Sequence, residues 1–139
     1  MFRKEIRTAK NANERKFSQD QRTFQACCWL RIDCFEYARV GIHGEVYENA
    51  LVHELRKRGL AVVQQRGVVV RYDDVVVGEY TTDLLVEDVV VVELKAVKVL
   101  DNIHLAQCLN YLRATDLRLC LLLNFGSPHL EIRRVVHGL

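Results

Sequence analysis

Nothing in this 139-residue chain amounts to about eighteen consecutive apolar residues, so no membrane-spanning helix is expected. The first residues, Met1-Phe-Arg-Lys-Glu-Ile-Arg7, have no apolar stretch behind their charges, which argues against a secretory leader. Cysteine is present five times (Cys27, Cys28, Cys34, Cys108, Cys120) but never as C-x-x-C, and the number is odd. That scatter fits neither a zinc ribbon nor a disulfide framework nor any iron–sulfur ligation pattern. Buried thiols in a reducing cytoplasm are the expected reading. Charge of one sign is also lacking: the net charge is +2, too small to argue for nucleic acid by itself. No internal repeat or low-complexity stretch divides the chain. Half of the residues are hydrophobic, enough for one domain with a substantial core.

Residues 80–95 carry the sharpest pattern. Leu84–Val86 and Val89–Val92 are apolar runs on either side of Glu87-Asp88, the arrangement of a β-hairpin. The second run has no polar residue, so it reads as a strand buried on both faces, yet it ends in Glu93-Leu94-Lys95. Side chains alternate along a strand, so Glu93 and Lys95 share a face. The turn decides whether Asp83 joins them. A two-residue turn pairs Val86 with Val89 and leaves Glu93 on the other face; a three-residue loop pairs Val86 with Val90 and sets Asp83 opposite Glu93.

Around this hairpin the chain reads as follows. Residues 1–23 are polar and lean basic, either a solvated tail or an arm for phosphates. Residues 24–40 are apolar enough to pack, with a period ambiguous between helix and strand. Residues 1–40 are set apart as a basic tail followed by this apolar stretch, and residues 41–139 as the folded domain. Glu45–Arg58 is expected to be a helix with an apolar stripe at Tyr47, Leu51 and Leu55, stopped by Gly59. Glu48 lies at the edge of that stripe, reaching either out to solvent or inward to a cation. Leu60–Gln65 and Val68–Tyr72 read as β structure with Gly67 as a bulge or turn, and Asp73-Asp74 as the next turn. Asp101 can cap a helix over Asn102–Ala114. Leu117–Phe125 reads as a buried strand and Ile132–Val136 as an edge strand. The order is α-β-β-β-α-β, an α/β layer architecture with a mixed sheet flanked by helices.

Asp83, Glu93 and Glu48 together would be costly, because like charges raise one another's pKa. A Mg²⁺ or Mn²⁺ ion relieves the conflict, since hard cations take carboxylate and carbonyl oxygen. Asp83, Glu93 and the Leu94 carbonyl are the expected ligands, with Glu48 a further ligand or a partner through water. Lys95 beside them could orient and help deprotonate an attacking water, and stabilise charge on a phosphodiester. For an isolated E-x-K the plainer reading is an ion pair at a strand end. Tyr111 can equally be a core-edge aromatic with a wet hydroxyl. Of the histidines, none of His43, His53 and His104 has ligand spacing, and only His104 is placed near phosphate. Arg113 and Arg118 are basic groups of the kind that contact a nucleic-acid backbone.

Asp83-x9-Glu93-x-Lys95 resembles the core motif of the PD-(D/E)XK nuclease superfamily, with Thr82 where the nominal proline stands. Gln107-x3-Tyr111 resembles the Q-x-x-x-Y motif of its RecB-like branch, which lies beside the DNA backbone. Gly41-Ile-His-Gly-Glu-Val-Tyr47-Glu48-Asn-Ala-Leu51, Asp83-Leu-Leu-Val86, Val92-Glu93-Leu-Lys95-Ala and Ala106-Gln107-Cys-Leu-Asn-Tyr111-Leu are similar to the small bacterial GxxExxY proteins. The glutamate that names that motif falls at Gly44, with Glu45 beside it. The resemblance spans roughly residues 41–136. It implies a restriction-endonuclease-like fold and a metal-dependent nuclease or DNA-processing enzyme, with Asp83, Glu93, Lys95 and Glu48 as catalytic residues. It further implies Gln107 and Tyr111 at the substrate and nucleic acid, most simply DNA, as partner. A homodimer would add contact surface to so small a domain. The other reading is a nuclease-fold module that binds nucleic acid or a protein without cutting.

Overall fold

The structure, a computed structural model, describes residues 21–23, 25 and 44–138. The expectations for the tail and for most of the 24–40 stretch, with Cys27, Cys28, Cys34 and His43, fall outside those residues.

Helix α1 (Gly44–Lys57) forms because Tyr47, Leu51, Val52 and Leu55 fall on one face and are buried. Its end is a Schellman stop: Gly59 takes φ 79°, Gly59 N–H donates to Arg56 O, and Leu60 N–H donates to Leu55 O. Five strands follow in one sheet: β1 (Val62–Tyr72), β2 (Val75–Val86), β3 (Val90–Lys95), β4 (Leu119–Asn124) and β5 (Glu131–Val136). Helix α2 (Asn102–Thr115) lies between β3 and β4. The strand order is β1-β2-β3-β4-β5, antiparallel throughout except for the parallel β3–β4 pair. A parallel pair needs a crossover, and α2 supplies it.

The two faces of the sheet bury separate cores. Alternate residues Leu84, Val86, Val90, Val92, Leu119, Leu121 and Leu123 pack with the α1 stripe. The residues between them, Leu85, Val91, Cys120 and Leu122, pack with Cys108 and Leu112 of α2. Hence β3 and β4 read as unbroken apolar runs. Counting along β2 and β3, Asp83 and Glu93 fall in step with Leu85 and Val91, on the α2 side.

One expectation is corrected. Gly67 marks neither a bulge nor a turn, because β1 is continuous through it. The irregularities lie instead at Gln65, whose φ is 51°, and at a register shift between Val70 and Arg71. His104 closes the cap of α2: its Nδ1 accepts from Asp101 N–H at 3.1 Å, while Asp101 Oδ1 accepts from Ile103 and His104 N–H. That is a capping box with histidine in the place of glutamate.

Candidate active site

The hairpin between β2 and β3 fixes the acids. Its ladder pairs Val86 with Val90, Leu85 with Val91 and Leu84 with Val92, so the loop has three residues, Glu87 to Val89. Glu87 and Asp88 both adopt left-handed φ, 54° and 56°, without a glycine. The turn is pinned from outside: Glu87 N–H donates to Ala61 O at 2.8 Å, and Glu87 Oε1 accepts from Ala61 N–H at 2.9 Å. Continuing the register sets Asp83 opposite Glu93. The paired ladder stops at Leu84–Val92, and the Leu94 N–H donates instead to Asp83 Oδ2 at 2.7 Å. One carboxylate thus replaces a backbone acceptor at the point where the pairing ends.

Burial dominates the electrostatics. Glu93 is 3% exposed, and its Oε1 has no hydrogen-bond partner. Burial, and then the Asp83 charge, push its carboxyl up to about 8, with Lys95 and the Asp83 N–H opposing more weakly. Burial also raises the Asp83 carboxyl; Leu94 N–H lowers it and the Glu48 charge raises it.

Lys95 is held by a chain of polar contacts from α2. Its Nζ donates to Gln107 Oε1 at 2.9 Å, Gln107 Nε2 donates to Tyr111 OH at 2.9 Å, and Tyr111 OH donates to Thr81 O at 3.4 Å. An ammonium can only donate, so it fixes which end of the Gln107 amide faces it, and the remaining directions follow. Gln107 and Tyr111, one helical turn apart, therefore act together. Tyr111 is buried and its hydroxyl is bonded, not wet. Burial raises its pKa, with the Glu93 charge adding to the effect.

A family model described as PD-(D/E)XK nuclease superfamily matches residues 22–135. The chain belongs to the PD-(D/E)XK nuclease superfamily. No curated protein and no solved structure matches it. The match begins at residue 22, inside the segment set apart as residues 1–40.

In this PD-(D/E)XK domain, Glu48 approaches Asp83 from the other helix. It sits on α1, and its carboxylate accepts from Gln65 Nε2 at 3.0 and 3.1 Å and from Gln64 Nε2 at 3.2 Å. Its charge raises the Asp83 carboxyl, and the Gln65 side chain that it accepts from also bonds Asp83. Among the described residues no three His, Cys, Asp or Glu side chains form a metal-ligating group. The donors that do come together still suit a hard cation: two carboxylates, one with a buried oxygen lacking any partner, followed by a strand carbonyl at Leu94.

Sequence reasoning missed Asn124 and Gly126. The wholly buried Asn124 amide accepts from Val97 N–H and Gly126 N–H, both at 3.0 Å, and donates to Val97 O at 2.8 Å. Phe125 N–H donates to Lys95 O at 2.9 Å. Together these bonds clamp the chain just beyond Lys95. A Cβ on Gly126 would stand 2.5 Å from Ala96 C and Val97 N, so only glycine fits there. The available signal was a polar residue closing an otherwise apolar strand. Thr82 Oγ1 donates to Arg66 O at 3.4 Å. Of the histidines and basic groups singled out, His53 and Arg113 are exposed and Arg118 is half-buried. Cys108 and Cys120 are free, buried thiols of the α2-side core. No helix among the described residues is long and apolar enough to cross a membrane.

Proposed function

We propose that the domain is a Mg²⁺- or Mn²⁺-dependent nuclease that hydrolyses phosphodiester bonds in nucleic acid, most simply DNA. The observation that carries this reading is the Glu93 carboxyl, buried beside Asp83 with one oxygen unsatisfied and Lys95 on the same face. A structural carboxylate so placed is a net cost, and cation binding relieves it. Asp83, Glu93 and the Leu94 carbonyl are the ligands, with Glu48 a partner through water. A cation there supplies Lewis acidity at the phosphodiester. Lys95, steadied by Gln107, orients the attacking water and offsets charge as the new phosphorus–oxygen bond forms and the ester bond breaks. Gln107 and Tyr111 position Lys95 in addition to lining the substrate side.

The test is cleavage of single- and double-stranded DNA and RNA with each metal, by wild type and by the Glu93→Ala and Lys95→Ala variants. Loss of about 100-fold or more in both variants supports the enzyme. The second reading, a binding module that does not cut, is favoured by one observation: Glu48 is held by Gln64 and Gln65. Nucleic-acid binding without cleavage, and without Mn²⁺ affinity, would select it.

A further inference from the structure

Next to Tyr111, a groove of about 580 Å³ runs between the β1–β2 hairpin and α2. Asn110, Arg113 and Ala114 line it from the helix, and Val69, Arg71 and Tyr80 from the strands. Asn110 and Ala114 lie three and seven residues after Gln107, so the groove continues the helix stripe that steadies Lys95. Tyr80 is 46% exposed, and its ring meets Tyr111 edge-on, centroids 5.7 Å apart at 72°. That contact fixes the ring while leaving much of it open.

The charges are suited to a polyanion. No acidic residue lines the groove. Among the described residues Arg113 has no ion pair, and Arg71 donates only to the Asp74 carbonyl, which leaves its charge unneutralised. The neighbouring cavity of about 530 Å³, by contrast, contains Asp88 and no aromatic residue.

We infer that this groove receives a single-stranded stretch of the nucleic-acid substrate, one base stacking on Tyr80 with Arg71 and Arg113 on the flanking phosphates. The inference rests on the nuclease reading and narrows its substrate to strands with an unpaired base near the cut. Duplex bases stack on each other and cannot cover Tyr80. A solvent-facing aromatic sharing a groove with two cations is the arrangement that holds single strands without reading their sequence.

The test is fluorescence anisotropy of labelled 12-mers (single-stranded DNA, single-stranded RNA and duplex DNA) with Ca²⁺ in place of Mg²⁺. The variants are Tyr80→Ala, Tyr80→Phe and Arg113→Gln, with thermal melts as the folding control and cleavage measured in parallel. Tyr80→Ala is expected to weaken single-strand binding about 5- to 100-fold, with Tyr80→Phe near wild type and duplex binding little changed. Arg113→Gln is expected to lower the slope of log affinity against log salt by about 0.7. The DNA and RNA arms tell which sugar the groove accepts. Folded Tyr80→Ala that binds single strands as wild type does, or a wild type that binds none, overturns the inference. If wild type cleaves while Tyr80→Ala binds unchanged, only the groove is lost. If strands bind through Tyr80 but are never cut, the nuclease reading fails and the groove stands.

Discussion

At the scale of single residues, Glu93 sets a pH dependence whose sign can be worked out. Its folded pKa of about 8 lies above the ordinary glutamate value of 4.5, so between those values the metal-free native state binds a proton that the unfolded chain has released. Stability therefore falls as pH rises through that window, by on the order of 1 kcal/mol per pH unit. Glu93→Gln keeps the shape and removes the titration. Urea denaturation at pH 5 and pH 8 without metal should show wild type losing stability and the variant losing much less, with the variant the more stable at pH 8. A wild type as stable at pH 8 as at pH 5 would contradict the buried, protonated glutamate. Asn124 makes a separate prediction, because three backbone groups depend on its amide. Asn124→Ala should cost about 2–4 kcal/mol, by leaving those groups unpaired. In cleavage assays the loss should appear mainly in kcat, through a misplaced Lys95.

At the scale of elements, α2 carries both a helix cap and the support of Lys95. Asp101→Ala removes two side-chain acceptances and frees His104, and should cost about 1 kcal/mol, read as a lower Tm by a few degrees. That cap was legible in the sequence, because an aspartate before an apolar period has a local cause. The stop of α1 at Gly59, the buried valines of β3 and the position of the Gln107–Tyr111 pair were legible for similar reasons: spacing alone fixes them. The hairpin register was not. Glu87-Asp88 contains no glycine to announce left-handed φ, and the bonds that pin the turn come from Ala61, far back in the chain. The partners of Glu48 were not legible for a related reason. Its captors, Gln64 and Gln65, sit at an irregular point of β1 that no period reveals. Likewise Asn124 looked like the end of a strand, and its three bonds exist only once the Val97 backbone is folded beside it.

For the whole molecule, cation binding and folding should be linked. A cation at Asp83 and Glu93 must displace the Glu93 proton, so Mn²⁺ should raise Tm more at pH 8 than at pH 6, and should leave Glu93→Gln nearly unmoved. An equal shift at both pH values would separate the cation from Glu93. A different consequence follows from the unequal lengths of the strands. β1 and β2 run for 11 and 12 residues, but among the described residues β3 pairs only with Leu84–Val86, so the distal part of the hairpin has no third strand beside it. Its amide hydrogens should exchange with solvent faster towards the Asp73-Asp74 tip, while those of β3 and β4 persist until global opening. The acids lie at the stiff root of this hairpin and Tyr80 lies out along it. The molecule therefore sets a stiff anvil at β3 and β4 against a hairpin whose far end leans on fewer neighbours in the sheet.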